Sequence, residues 1–200
     1  MRDRNAPGRP REFDDTEMLR KIMKLFWKGG YEGVSLSDIM RETGLQKASL
    51  YAAFGDKRAL YLKALTQYHA DVVSDAARAL KDANRPALER IEAFLLAPLE
   101  AARLNDRSGC FLCNASADQA DLDLATKQQV KRGFETLTQA LAQPIAELRP
   151  KRDEVAVLTT ARTLVSIYIG LRIMVRSGLS LRQLESCVPN ALVLVNGCSN

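Results

Sequence analysis

Between Val34 and Lys57 the chain reads V-S-L-S-D-I-M-R-E-T-G-L-Q-K-A-S-L-Y-A-A-F-G-D-K, and no other stretch restricts the possible folds as tightly. Ser35 stands before an apolar-periodic run and Asp38 follows three residues later. The hydroxyl can therefore accept from an orphan N–H of a first helical turn while the carboxylate returns to the cap backbone. Leu36, Ile39 and Met40 recur at the spacing of one helix face, and Gly44 suits the left-handed residue that ends such a helix. Leu45 fills the turn. A second helix is expected over 46–54, with Leu50, Ala53 and Phe54 turned inward and Lys47, Ser49 and Tyr51 outward. Two short helices joined at a glycine, the second outwardly small and polar, have the layout of a helix-turn-helix.

The flanking residues complete that unit. From Asp15 to Lys28, Leu19, Ile22, Met23, Phe26 and Trp27 keep helical spacing and supply an apolar wall for the two short helices; Gly29 and Gly30 stop the run. The preceding segment, R-D-R-N-A-P-G-R-P-R, sets Arg2, Arg4, Arg9 and Arg11 against the single carboxylate of Asp3. Such an arm is expected to be disordered alone and to order on an anionic surface. The formal net charge of +5 is mild for the whole chain, in keeping with a basic character needed at one end only.

Taken in order, G-R-P-R-E-F-D, L-F-W-K-G-G-Y-E-G-V-S-L-S-D-I and G-L-Q-K-A-S-L-Y-A-A-F-G-D-K-R-A-L make the first third of the chain resemble the DNA-binding domain of the TetR family of bacterial transcriptional regulators. The resemblance implies an all-α protein of about nine helices. An N-terminal arm and three-helix DNA-binding domain would occupy residues 1–55, and a ligand-binding and dimerisation domain residues 56–200. It implies a regulator, usually a repressor, that binds a palindromic double-stranded DNA operator as a homodimer and is released by a small-molecule effector whose identity does not follow. By position, Lys47, Ala48, Ser49 and Tyr51 match the recognition helix, and Lys57 matches a backbone-contacting lysine at the start of the fourth helix. Ser35 and Thr43 flank the first helix of the motif, where phosphate is held. Gln46 departs from the family pattern, which often has a capping serine there; a glutamine is a poor cap but can read an adenine edge. Arg9 and Arg11 in the arm are further candidate DNA contacts, by way of the minor groove.

Beyond Phe54 the pattern stays helical and no strand period is present. A long helix is expected from an Asp56 cap through His69 towards Leu80, and another from Pro86 to Leu104, with a loop over 105–109. A short helix from Cys110 to about Ala117 precedes a longer one from about Leu122 to Leu148, which Pro144 should kink or end early. Helices over 152–177 and from about Ser180 complete the chain, the last disturbed by Pro189. Hydrophobic residues make up 46% of the 200 positions, enough for a packed core. The apolar run from Val155 to Val175 contains Arg162 and Arg172, and burying them mid-bilayer would cost about 2.5–3.5 kcal/mol each. It is therefore read as a soluble helix buried on more than one face, not a membrane span. No secretion signal is visible, which points to the cytoplasm.

In TetR-like proteins helices such as 153–175 and 181–195 form the dimer bundle, and Leu181, Leu184, Val188, Leu192 and Val195 offer a helix-spaced seam for it; packing within the chain's own domain is the alternative. Cys110 and Cys113 lie three apart at the end of a loop, where a helix N-terminus favours a thiolate. The surrounding G-C-F-L-C-N also resembles a segment of TetR regulators that sense electrophiles, oxidants or copper. A sensing role for Cys110 and a plain buried cysteine both stand open, as does a constitutive DNA-binding factor without effector. No metal site or cofactor is expected: there is no second CxxC, and His69 is the only histidine. With no Ser/His/Asp order, phosphate loop or carboxylate pair, the chain is not expected to be an enzyme.

Overall fold

The computed structural model describes residues 15–118 and 124–196, and among these no strand is present. Helix α1 (Asp15–Gly29), α2 (Leu36–Thr43) and α3 (Lys47–Phe54) come first. A long rod follows, in which α4 (Lys57–Tyr68) runs unbroken through a π-helical segment, His69–Val73, into α5 (Ser74–Lys81). The remaining helices are α6 (Ala87–Arg103), α7 (Phe111–Asp118), α8 (Leu124–Leu148), α9 (Glu154–Arg176), α10 (Leu181–Glu185) and α11 (Cys187–Asn196). With α4–α5 and α10–α11 each taken as one rod, the described residues form nine helices.

Local chemistry accounts for most boundaries. Asp56 and Asp153 cap α4 and α9 by accepting from Ala59 N at 2.8 Å and Ala156 N at 2.7 Å. Pro144 does not end its helix early. Pro144 is buried inside α8, which continues to Leu148, and Pro98 likewise lies within α6. The last segment is interrupted at Ser186, three residues before Pro189, which occupies the first turn of α11, where a missing N–H leaves no broken bond.

One hydrophobic cluster runs through the described residues, from Met18 and Phe26 on α1 to Val195 on α11. Helix α1 packs on α4, and α8 packs on α5 and α9, while α6 lies against α9 and α8. Phe26, Tyr61, Phe111 and Tyr68 form a chain of edge-to-face rings that joins α1 and α4 to α7. The C-terminal seam also requires correction: Leu184, Val188 and Val195 are buried in this chain's own core, and α11 packs on α6, α9 and α8. The apolar residues left exposed on α9 and α11 are others, namely Val155, Ile173, Met174, Val193 and Leu194. Helix α9 is long and apolar enough to span a membrane by length and composition. It nevertheless packs along α6 and α8, with Leu164, Val165 and Leu171 buried there.

Candidate nucleic-acid interface

Helix α2, the first of the two short helices, is held at both ends. Ser35 Oγ accepts from Asp38 N at 3.1 Å, and Asp38 Oδ2 accepts from Ser35 N at 3.0 Å, which is a complete capping box. The Ser35 side-chain and backbone bonds, with Arg41 alongside, hold the Asp38 carboxyl below its ordinary range. At the other end Gly44 adopts φ 72°, and its N–H bonds Met40 O at 2.8 Å. Thr43 Oγ1 donates to Ile39 O at 2.7 Å and accepts from Leu45 N at 3.3 Å, so this hydroxyl also serves the turn.

Helix α3 buries Leu50 and Phe54 and leaves Lys47, Ala48 and Ser49 exposed, with Tyr51 37% exposed beside them. It contains no acidic residue. Its N-cap residue, Gln46, is extended and makes no side-chain cap bond. The first-turn N–H groups of α3 are therefore open to an outside acceptor, at the end of the helix where the dipole favours an anion. Lys47 Nζ lies 5.8 Å from the Tyr51 ring centroid. Lys57, in the first turn of α4, lies 4.5 Å from that of Tyr31. A ring face under an ammonium restrains it without neutralising it. The structure thus brings Gln46, Lys47, Ala48, Ser49 and Tyr51 together on one short helix, with Lys57 at the head of the next. Arg9 and Arg11 lie outside the described residues.

A second cluster surrounds the thiols. Cys110 is not inside a helix: it precedes α7, and its carbonyl accepts from Asn114 N at 3.0 Å, in the manner of a cap. Its side chain is buried, with Tyr68 Oη 3.9 Å from Sγ. Hydrogen bonding from Cys113 lowers the Cys110 thiol to about 6 against the opposing effect of burial, and the Arg172 guanidinium and Tyr68 hydroxyl assist. The Cys113 thiol is pushed up correspondingly by its bond to Cys110 and by burial. The helix terminus contributes through the backbone N–H of Cys113, whose thiol the three-residue spacing places beside Cys110; Arg172 and Tyr68 are not legible from spacing. Arg172 donates to Tyr168 Oη at 2.7 Å and Gly109 O at 2.8 Å, which ties α9 to the Cys110 loop. Arg172, one of two arginines in the apolar run from Val155 to Val175, was the visible signal for this link.

The chain is similar to known proteins in sequence and in fold. The family model described as bacterial regulatory proteins, tetR family, matches residues 18–64, from α1 into α4. The HTH-type transcriptional repressor ComR of Escherichia coli (strain K12) is 34% identical over 203 residues, covering 96% of this chain and 93% of that protein. BdcR, an HTH-type transcriptional repressor of the same organism, is 29% identical over 180 residues, covering 90% and 87%. Among solved structures, the TetR family regulator CifR, a cysteine mutant complexed with 26bp double-strand operator DNA, superposes with a TM-score of 0.74 at 24% identity. That match covers 92% of this chain and 98% of CifR.

Proposed function

The chain belongs to the tetR family of bacterial regulatory proteins, and on that premise we propose that this DNA-binding transcriptional repressor reads a palindromic operator as a homodimer and leaves it when an effector binds. The observation that carries the reading is the acid-free, uncapped N-terminal end of α3, where Gln46, Lys47, Ala48, Ser49 and Tyr51 form an exposed face. Ala48 and Ser49 are small enough for the helix to lie close to base edges, and Tyr51 and Lys57 reach phosphates. Ser35, whose hydroxyl caps the start of α2, and Thr43, whose hydroxyl holds the turn after it, contribute by presenting the ends of α2 to the backbone; Arg9 and Arg11 add minor-groove contacts. Residues 1–55 act as the DNA-binding part and residues 56–200 as the ligand-binding and dimerisation part, in the cytoplasm. The relatives are regulators, not enzymes.

Homodimerisation is supported by the exposed Ile173 and Met174 on α9 and Val193 and Leu194 on α11. At Gly170 on α9 an added Cβ would meet nothing within 4 Å in this chain, leaving room for a second helix. An effector acts only through its preference for the form that does not fit the operator. The α4–α5 rod, which runs from Lys57 to Lys81, is the element able to carry that preference to the DNA-facing end.

A second reading is favoured by the environment of Cys110: a thiol near 6, beside Tyr68 and Arg172, has the thiolate character of a reactive cysteine. On this reading the effector is an electrophile or oxidant that modifies Cys110. Base readout is tested by substituting Gln46 and Lys47 and measuring affinity across a panel of operator variants. A changed order of preference is expected; a uniform loss across the panel would remove both from base reading.

A further inference from the structure

Val72 of the π-helical segment, Ala76 and Leu80 of α5, and Phe94 and Ala97 of α6 wall a cavity of about 180 Å³. Phe94 stacks on Tyr168, with ring centroids 4.1 Å apart, to make one flat aromatic side. The polar groups that line it are Tyr168 and three arginines, Arg85, Arg90 and Arg172; no carboxylate does among the described residues.

The arginines differ in what they have left to offer. Arg85 is exposed. Arg90 is buried and bonds Leu80 O at 2.8 Å and the Glu147 carboxylate, yet its Nε is buried without a partner among the described residues. Arg172 donates Nε to Tyr168 Oη and Nη1 to Gly109 O, both uncharged oxygens, and has no carboxylate within 4 Å among the described residues. A guanidinium cannot shed its proton, so its charge is permanent wherever the fold withdraws it from water. Apolar walls, a flat ring and a fixed positive charge at the same cavity define complementary ligand chemistry.

We propose that this cavity binds a small apolar carboxylate, a single aromatic ring or short hydrocarbon chain bearing one acid group, whose charge pairs with Arg172. The size follows from comparison: a dry cavity of about 150 Å³ admits benzene, and this one is slightly larger and cationic. The proposal rests on the reading of the chain as an effector-controlled repressor and names the effector's class. Because Val72 and Leu80 belong to the rod whose other end carries Lys57, a ligand wedged between that rod and α6 acts on the element that presents Lys57.

Titration calorimetry of the full chain with benzoate, phenylacetate and hexanoate, each beside its neutral amide, tests the site. At least one carboxylate binds with one ligand per chain, about tenfold or more tighter than its amide, as a charge-assisted hydrogen bond requires. Arg172→Met abolishes that preference and Arg172→Lys keeps part of it. Ala97→Phe, with helical circular dichroism unchanged, blocks acid and amide alike, while Cys187→Ser, exposed and outside the cavity, binds normally. Absence of binding by all three acids, equal affinity for acid and amide, or undiminished binding by Ala97→Phe overturns the site. Binding that leaves operator affinity unchanged upholds the site and counts against release by an effector, so the two claims fail separately.

Discussion

Lys57 and Cys110 show how one side chain is made ready by its immediate neighbours. Lys57 lies over the Tyr31 ring and in the first turn of α4, so its ammonium is restrained but keeps its charge. Lys57→Ala should weaken binding to all duplex sequences alike and flatten the slope of log affinity against log salt by about one unit, as loss of one phosphate contact requires. An unchanged slope would take Lys57 out of the interface. For Cys110 the sign follows from a thiol lowered to about 6: it is protonated and slow below that pH and thiolate above it. The rate of alkylation by iodoacetamide in Cys113→Ala, Cys187→Ala, Cys198→Ala protein cannot report this cleanly, because Cys113 is the first cause of the shift. The probe is instead the modification of Cys110 followed by mass spectrometry in the otherwise native chain. Its rate is expected to reach half its plateau near pH 6; a rise delayed to the range of an ordinary thiol, near pH 8.5, would contradict the assigned environment.

Among the elements, the α2–turn–α3 unit was legible almost residue by residue because short-range chemistry decides it. The Ser35–Asp38 box, the left-handed Gly44 and the missing cap at Gln46 all depend on residues no more than four apart. Gly44 is the sharpest case. An added Cβ there meets nothing within 4 Å, so substitution strains only the backbone at φ 72°. Gly44→Ala should lower unfolding stability by about 1–2 kcal/mol, and Gly44→Asn by less, since asparagine tolerates the left-handed region. Urea denaturation checks both; equal stability of Gly44→Ala and the parent would mean the turn relaxes to another conformation. Features set by tertiary packing were not legible. A period of apolar residues says that a face is buried, not by what, which is why the 184–195 seam turned out to face α6, α8 and α9 of its own chain. The π-helical segment at His69–Val73 likewise has no local mark, although His69 sits in it, 3.1 Å from Thr136 Oγ1 on α8. Burial, with Arg132 nearby, lowers that imidazole's pKa and favours its neutral form.

At the scale of the molecule, the all-α architecture follows from a chain whose apolar residues keep helical spacing from Met18 to Val195 and close into one continuous cluster. The resemblance in the first third carried the fold and the DNA-binding role. It said nothing of the cavity, because Val72, Phe94, Tyr168 and Arg172 come from segments far apart in sequence and meet only after folding. The proposed homodimer would cover the exposed apolar residues on α9 and α11 at the open approach beside Gly170, and two recognition helices about one DNA turn apart would then read the two halves of a palindrome. Sequencing of genomic fragments retained by the purified protein tests this most directly. The account predicts enrichment of an inverted repeat with half-sites centred about one helical turn, or a multiple of it, apart, and loss of that enrichment when Lys47 and Tyr51 are both replaced by alanine. Recovery of fragments without a shared motif, or the same motif with the doubly substituted protein, would contradict it.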